Sequence, residues 1–219
     1  MPHIAVVLSG SGVYDGSEIH EAVITLLRLS EKGAKVTIFA PNVKQMHVID
    51  HSTGKETKEK RNVLVEAARI ARGHIKPLSQ ATARYDALII PGGFGAAKNL
   101  SNFAVKGHTC RVNKDLEKLI LAFHAKGKPI APMCIAPTIV ARVLGKAKIP
   151  VKLTIGNDAW TAGMINKMGA EHVECPVNDC VVDRKNRVVS APAYMYDASI
   201  ADVAKGIRKL VDTTLKMVK

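Results

Sequence analysis

The chain of 219 residues is 47% hydrophobic and 23% charged, which is typical of a folded globular protein and excludes a largely disordered one. Its formal charge of +13 would attract nucleic acid, but only 4% of the residues are aromatic and the basic residues lie singly. We therefore predict no nucleic-acid partner. No apolar run approaches the roughly 18–20 residues of a membrane-spanning helix, so we predict no membrane partner either.

The N-terminus leads directly into an apolar run. It carries neither the charged leader of a signal peptide nor the arginine-rich pattern of a transit peptide, and this predicts a cytosolic protein. The four cysteines are then expected to be free thiols, because disulfides are rare in that compartment.

Apolar runs alternate with amphipathic segments along the whole chain. A continuous apolar run predicts a strand buried on both faces at residues 4–8. Further strands are predicted at residues 35–40, 85–90, 130–133 and 151–155, and residues 180–189 alternate like a hairpin. Helical periodicity predicts a helix from an N-cap at Ser17 to about residue 32, and further helices at 62–72, 116–125, 135–144, 160–168 and 200–217. Residues 41–60 are polar and are expected to form an excursion or a hairpin. The alternation predicts one α/β domain over residues 1–219, with a mostly parallel sheet and helices on both faces.

A glycine-rich loop, residues 9–17, follows the first strand and opens the first helix. Its spacing is G-x-G-x-x-x-G, and the second strand ends without an acidic residue to bind a ribose hydroxyl, so a dinucleotide cofactor is not predicted. Ligands of open α/β sheets bind at the carboxyl ends of the strands, which makes this loop, with Gly12, a candidate substrate-binding segment.

Three possible zinc ligands, His172, Cys175 and Cys180, fall within nine residues. The C-x4-C spacing is not that of a usual structural zinc site, and alternate residues of a strand point to opposite faces. We predict no metal and no cofactor.

The segment around Cys134 has the pattern of a nucleophile elbow. An apolar strand ends at Cys134 and a helix-compatible segment follows at once, which places the thiol beside free N–H groups and the positive end of a helix dipole. These conditions lower the pKa of a thiol and make it nucleophilic. The alternative, from this window alone, is that Cys134 is a small buried hydrophobe.

Residues at two other strand ends complete the candidate site. An N–H group of Gly92 or Gly93, with that of Ile135, is suited to form an oxyanion hole. Glu18 or Glu21, in the first turn of the first helix, could keep its proton and hydrogen-bond the sulfur, although acids there commonly serve the helix dipole. Nucleophile, oxyanion donors and acid together indicate attack of a thiolate on a small carbonyl.

At these residues the chain resembles the PfpI-like branch of the class-I glutamine amidotransferase-like superfamily, and more closely the ElbB glyoxalase-like family. The resemblance rests on residues 9–22, 91–103 and 133–137, with 153–156 and 191–195, and so covers nearly the whole chain. It implies a flavodoxin-like three-layer sandwich, often a homodimer. It also implies cofactor-independent glyoxalase activity on a small dicarbonyl: glyoxal to glycolate, and methylglyoxal to lactate. Vertebrate members are mitochondrial, but this chain shows no transit peptide.

The resemblance also implies roles for individual residues. Cys134 matches the nucleophile, and counting back from Gly33 selects Glu21 as the acid, with Glu18 one turn earlier left open. His172 lies roughly where another branch of the superfamily has its catalytic histidine, whereas the ElbB family lacks a standard triad.

The predicted function is a glyoxalase III-type lyase that acts through a Cys134 thiohemiacetal. The alternatives are a non-catalytic or redox-sensing stress protein that keeps an oxidisable cysteine at the elbow, and a protein deglycase. Glutamine amidotransfer is disfavoured because Ile135, rather than a histidine, follows the cysteine.

Overall fold

The computed structural model describes residues 1–218 and is built around a seven-stranded sheet. The strands are β1 His3–Val7, β2 Lys35–Ala40, β3 Ile49–Asp50, β4 Lys55–Glu56, β5 Ile75–Pro77, β6 Ala87–Ile90, β7 Ile130–Pro132, β8 Lys152–Leu153, β9 Glu171–His172, β10 Val181–Asp183 and β11 Val188–Ser190. The main sheet has the order β10-β11-β7-β6-β1-β2-β5, and its pairs are parallel except for β10 with β11. The pairs β3-β4 and β8-β9 form two separate small sheets.

Helices cover both faces of this sheet. They are α1 Ile19–Glu31, α2 Val63–Ile70, α3 Phe94–Lys98, α4 Phe103–Lys106, α5 Lys114–Ala125, α6 Pro137–Lys146, α7 Ala159–Lys167 and α8 Ile200–Lys216. Helices α1, α2 and α8 contribute to one core, and α3 to α7 contribute to the other. No helix in residues 1–218 is long and apolar enough to cross a bilayer.

Strand β1 shows why the helices form two layers. Its side chains alternate between the cores: Ala5 and Val7 pack on one side, and Ile4 and Val6 on the other, all fully buried. A strand buried on both faces must be apolar at every position, which is the continuous pattern seen in the sequence. The predicted flavodoxin-like α/β sandwich is confirmed.

The strand order determines where chemistry can occur. Strands β7, β6 and β1 are neighbours and run parallel, so their carboxyl ends meet at one edge of the sheet. Cys134 follows β7, Gly92 and Gly93 follow β6, and the loop at residues 9–17 follows β1. This is the edge at which ligands bind in open α/β sheets.

Several local predictions need correction. Ser17 is not the N-cap of α1: Glu18 caps it, with its Oε2 accepting from the N–H of Glu21 at 2.7 Å, while the Ser17 hydroxyl accepts from the N–H of Ser9. Strand β5 was not predicted, because a three-residue edge strand that ends in proline has too little periodicity to be detected. The short helices α3 and α4 were missed for the same reason of length.

Candidate active site

Cys134 lies at a sharp turn between β7 and α6. Its φ of 57° is in the left-handed region, which costs a non-glycine residue about 1–3 kcal/mol and persists only where neighbours enforce it. Neighbouring strands do so here: the N–H of Cys134 donates to the carbonyl of Ala191 at 3.0 Å, and Met133 pairs with Ala191. The backbone geometry is that of the predicted elbow, and the side chain is 7% exposed at the floor of a cavity.

Glu21 is the acid that contacts the thiol. It is fully buried in α1, and its Oε2 accepts from the N–H of Gly92 at 2.8 Å while its Oε1 accepts from the N–H of Tyr194 at 3.3 Å. Burial, and then the charge of Glu18, raise the pKa of Glu21 from 4.5 to about 8, against the opposing effect of these N–H donors and of Cys134. The side chain is therefore a carboxylic acid for most of the time at neutral pH.

The pKa of the Cys134 thiol is raised well above its ordinary value, so the prediction of a lowered thiol pKa is wrong. Burial is the main cause and Glu21 is the second, whereas the N–H groups of Gly93 and Ile135 donate toward the sulfur and lower the pKa in part. The sequence indicated the N–H donors at the elbow, but it did not show how deeply the thiol is buried. Thiol and carboxyl thus form a buried, essentially uncharged pair.

The two predicted acids have different positions. Glu18 lines the cavity, and its carboxylate caps α1, while Glu21 lies one turn later beneath the thiol. The glycines differ too: the N–H of Gly92 is occupied by Glu21, and this leaves Gly93 and Ile135 as the pair that faces the sulfur. The structure thus brings together around the Cys134 thiol all five of these predicted residues: Glu18, Glu21, Gly92, Gly93 and Ile135.

Gly12 and His172 do not line the cavity. Gly12 shapes the loop at residues 9–17, where its N–H donates to the carbonyl of Ser17 and its own carbonyl accepts from Gly16, and its neighbour Val13 lines the cavity instead. His172 lies in β9, where burial lowers its pKa and its Nε2 has no hydrogen-bond partner among the described residues.

The structure adds residues that sequence reasoning missed. Tyr194 extends the site through its N–H on Glu21 and through its hydroxyl, 2.8 Å from Nδ1 of His20. Phe94, Phe103 and Trp160 line the cavity of about 430 Å³ above Cys134. They come from α3, α4 and α7. Phe94 and Phe103 lie in the segment 91–103 that carries the resemblance, but no local pattern joins them to Trp160, the only tryptophan in the sequence.

We expect Gly92→Ala to lower the free energy of unfolding by about 1–3 kcal/mol through overpacking. A Cβ on Gly92 would lie 2.5 Å from Cβ of Cys134 and 2.9 Å from Oε2 of Glu21, so the elbow must shift. Gly163→Ala in α7 is the matched control, because its Cβ meets no atom within 4 Å. It should raise stability by up to about 1 kcal/mol through helix propensity. Equal effects of the two substitutions in urea unfolding would contradict this packing.

Glu21→Gln is expected to stabilise the fold at neutral pH. Between pH 4.5 and about 8 the unfolded carboxyl has lost its proton while the folded carboxyl keeps it, so wild-type stability falls as pH rises through this window. At about 1.4 kcal/mol per pKa unit, this costs the wild type about 3 kcal/mol at pH 7. A neutral amide avoids that cost, and the loss of one of the two acceptors for the N–H groups of Gly92 and Tyr194 offsets part of the gain.

Urea unfolding at pH 5 and pH 7 measures this effect, and the advantage of Glu21→Gln should grow between the two values. Glu31→Gln is the control on the same helix: Arg208 and Arg28 lower the pKa of Glu31, so its replacement should act in the opposite direction. An advantage of Glu21→Gln that shrinks on going to pH 7 would show that the folded carboxyl is ionised.

Comparison with known proteins gives two close sequence relatives and two informative structures. The chain is 48% identical to the "ES1 protein homolog, mitochondrial" of Rattus norvegicus, over 98% of the chain and 83% of the relative. It is also 48% identical to the human "Glutamine amidotransferase-like class 1 domain-containing protein 3, mitochondrial", over 98% and 82%. An Ehrlichia chaffeensis "isoprenoid biosynthesis protein with amidotransferase-like domain" matches with a TM-score of 0.94 and 39% identity, over the whole of both chains. Glyoxalase III of Candida albicans, at 16% identity and a TM-score of 0.65 over 100% and 98%, shares the fold.

These relatives overturn the prediction of a cytosolic protein. The rat and human proteins, and a zebrafish relative at 36% identity over 98% of the chain, are all named as mitochondrial. The prediction rested on the missing leader pattern at the N-terminus, a weaker observation than the names of such similar proteins.

The sequence profile of one family covers most of the chain. It is the DJ-1/PfpI family, and it matches residues 7–197, which include the loop after β1, the glycine turn after β6 and the elbow. The fold, the elbow and this match agree, and the chain belongs to the DJ-1/PfpI family.

Proposed function

We propose that the protein is a cofactor-independent glyoxalase that converts glyoxal to glycolate and methylglyoxal to lactate through a Cys134 thiohemiacetal. The observation that carries this proposal is the buried Cys134–Glu21 pair, with two N–H donors aimed at the sulfur. The name of the Candida albicans neighbour accords with it at the level of the fold. Residues 9–22, 91–103 and 133–137 support a finer placement in the ElbB glyoxalase-like branch.

The first step joins the thiol to the aldehyde. The thiol proton passes to the carboxylate form of Glu21, the C–S bond forms, and the electron pair of the C=O bond moves to oxygen. The N–H groups of Gly93 and Ile135 are placed to hold that oxygen. Glu21 then returns the proton to it, which gives a neutral thiohemiacetal. The site carries one negative charge throughout this step, first on Glu21, then on the oxygen and again on Glu21. Because no additional charge is buried, the high pKa of the thiol is compatible with this chemistry.

The second step moves a hydrogen between the two carbons. Glu21, again as carboxylate, removes the proton from the carbon that carries sulfur, and the electrons pass through an enediol. The protonated Glu21 delivers this proton to the second carbon. The hydroxyl group on the first carbon loses its proton and the oxygen on the second carbon gains one. The product is a thioester with a hydroxyl group on the second carbon. A pKa of about 8 suits a group that must both accept and donate a proton near neutral pH.

Water completes the reaction. It adds to the thioester, the C–S bond breaks, and the thiol is restored with release of the 2-hydroxy acid. Overall, one glyoxal and one water give one glycolate and one proton. Formation of glycolate from glyoxal by the purified protein tests the proposal, and a rate no greater than that of buffer would refute it.

The redox-sensing alternative gains no support from the site. Oxidation of a cysteine follows its thiolate fraction and its exposure. Cys134 is buried and its thiol pKa is raised, so both properties disfavour a sensor.

We also propose that the protein is a homodimer joined through α1. Ile19, Val23 and Leu27 are spaced four residues apart on this helix and are 44–47% exposed, an apolar stripe suited to a self-complementary interface. Val23→Glu is expected to halve the molecular mass measured by sedimentation. Val65→Glu, at a still more exposed valine on α2, should leave the mass unchanged. A wild type that sediments as a monomer would refute the dimer.

A further inference from the structure

The cavity above Cys134 is larger than glyoxal requires. Its volume of about 430 Å³ falls within the range of roughly 300–1,000 Å³ typical of sites for larger organic ligands. A water molecule takes about 30 Å³ in the liquid, so a dicarbonyl with four non-hydrogen atoms fills only a small part of this space. The rest of the cavity is therefore available to a substituent on the substrate.

Part of the cavity is lined by apolar side chains, and we call this part the apolar compartment. Its lining residues are Phe94, Ala97, Phe103, Ala104 and Trp160. Phe103 and Trp160 meet edge to face with ring centroids 6.0 Å apart. The N–H groups of Gly93 and Ile135, in contrast, lie at the reacting end around the thiol, while Asp158 and Thr161 line the cavity beside Trp160 and are hydrogen-bonded to each other. The cavity thus has a polar end that performs the chemistry and an apolar end that is suited to a substituent.

The charges around the cavity further restrict which substituents can bind there. The chain carries 32 lysines and arginines, yet no basic residue lines this cavity in the part of the chain that is described. The charged residues that line it are both acids, Glu18 and Asp158, and the Asp158 carboxylate caps α7 through the N–H of Thr161. A phosphate or carboxylate on the substrate would find no counter-charge there and would be repelled.

We infer that the preferred substrate is an uncharged 2-oxoaldehyde that carries an apolar or aromatic group, an inference that rests on the proposed function. The sulfur adds to the terminal aldehyde, the hydrogen moves to the ketone carbon, and water releases the 2-hydroxy acid. The substituent takes no part in bond making. It lies in the apolar compartment, where removal of its surface from water strengthens binding.

Kinetics with phenylglyoxal and glyoxal test the inference. In the wild type, kcat/KM for mandelate formation from phenylglyoxal should exceed that for glycolate formation from glyoxal by about tenfold or more, as apolar groups in such pockets allow. Ala104→Phe fills the compartment from an exposed position and should lower this ratio at least tenfold. Val105→Ala, next to it but outside the cavity, should leave the ratio unchanged. A wild-type ratio below one, or an unchanged ratio in Ala104→Phe, would overturn the inference.

A binding measurement separates this inference from the proposed reaction. Trp160 is the only tryptophan, so its fluorescence reports occupancy of the compartment in a Cys134→Ser protein that cannot turn over. Acetophenone should change this fluorescence saturably, at concentrations at least tenfold below any effect of acetone, and Ala104→Phe should weaken its binding. Binding without turnover of any aldehyde would refute the glyoxalase reaction but support the apolar compartment. Turnover of glyoxal without acetophenone binding would support the glyoxalase reaction and refute the apolar compartment.

Discussion

Cys134→Ala is expected to abolish glycolate formation, with a loss of at least about 10³-fold in kcat, because no other group in the site can form the covalent intermediate. The substitution removes one sulfur from a side chain that is 7% exposed, so the fold should persist. Cys180→Ala is the matched control: this partly buried thiol packs near Thr213 on α8, outside the cavity, and its loss should leave the rate unchanged.

Mass spectrometry adds a second measurement of the same step. Wild-type protein quenched during turnover should carry the mass of one glyoxal on the peptide that contains Cys134, and Cys134→Ala should carry none there. Equal rates for wild type and Cys134→Ala, or an adduct confined to Cys110, Cys175 or Cys180, would refute the assigned nucleophile.

Glu21→Gln is expected to lower kcat by about 10²–10⁴-fold, the usual contribution of a positioned general acid–base. The single oxygen of the amide can still accept from the N–H of Gly92, but then the N–H of Tyr194 loses its acceptor. The amide also cannot carry a proton between the sulfur, the oxygen and the two carbons. Together with the stabilisation expected at pH 7, this predicts a variant that is more stable and nearly inactive. Simple unfolding cannot explain such a combination.

The pH profile distinguishes the two acids. Because the ionised form of Glu21 is the base, wild-type kcat/KM should rise about tenfold per pH unit up to a plateau near pH 8. Glu18→Gln should cause a smaller loss of rate, since its main contact is the cap of α1. Because the charge of Glu18 helps to raise the pKa of Glu21, its removal should move the rise of the profile toward lower pH. Loss of the pH-dependent rise in Glu18→Gln, with the rise kept in Glu21→Gln, would reverse the assignment.

Much of the fold follows from local patterns. Strands β1 and β6 are apolar at successive positions because both faces of the sheet are covered, and that pattern is visible without coordinates. The elbow at Cys134 and the glycines after β6 were predicted in the same way, because the short-range chemistry of a strand end determines them.

The sequence by itself therefore determined the alternation of strands and helices, the elbow and a short list of candidate acids and donors. Only the tertiary structure decided among them. The packing of α1 against the turn after β6 selected Glu21 over Glu18, and the carboxyl group of Glu21 accepts from the N–H of Gly92. Burial reversed the expected shift of the thiol pKa, since desolvation depends on atoms that are distant in the chain. The aromatic wall likewise required three separate helices to meet over one cysteine.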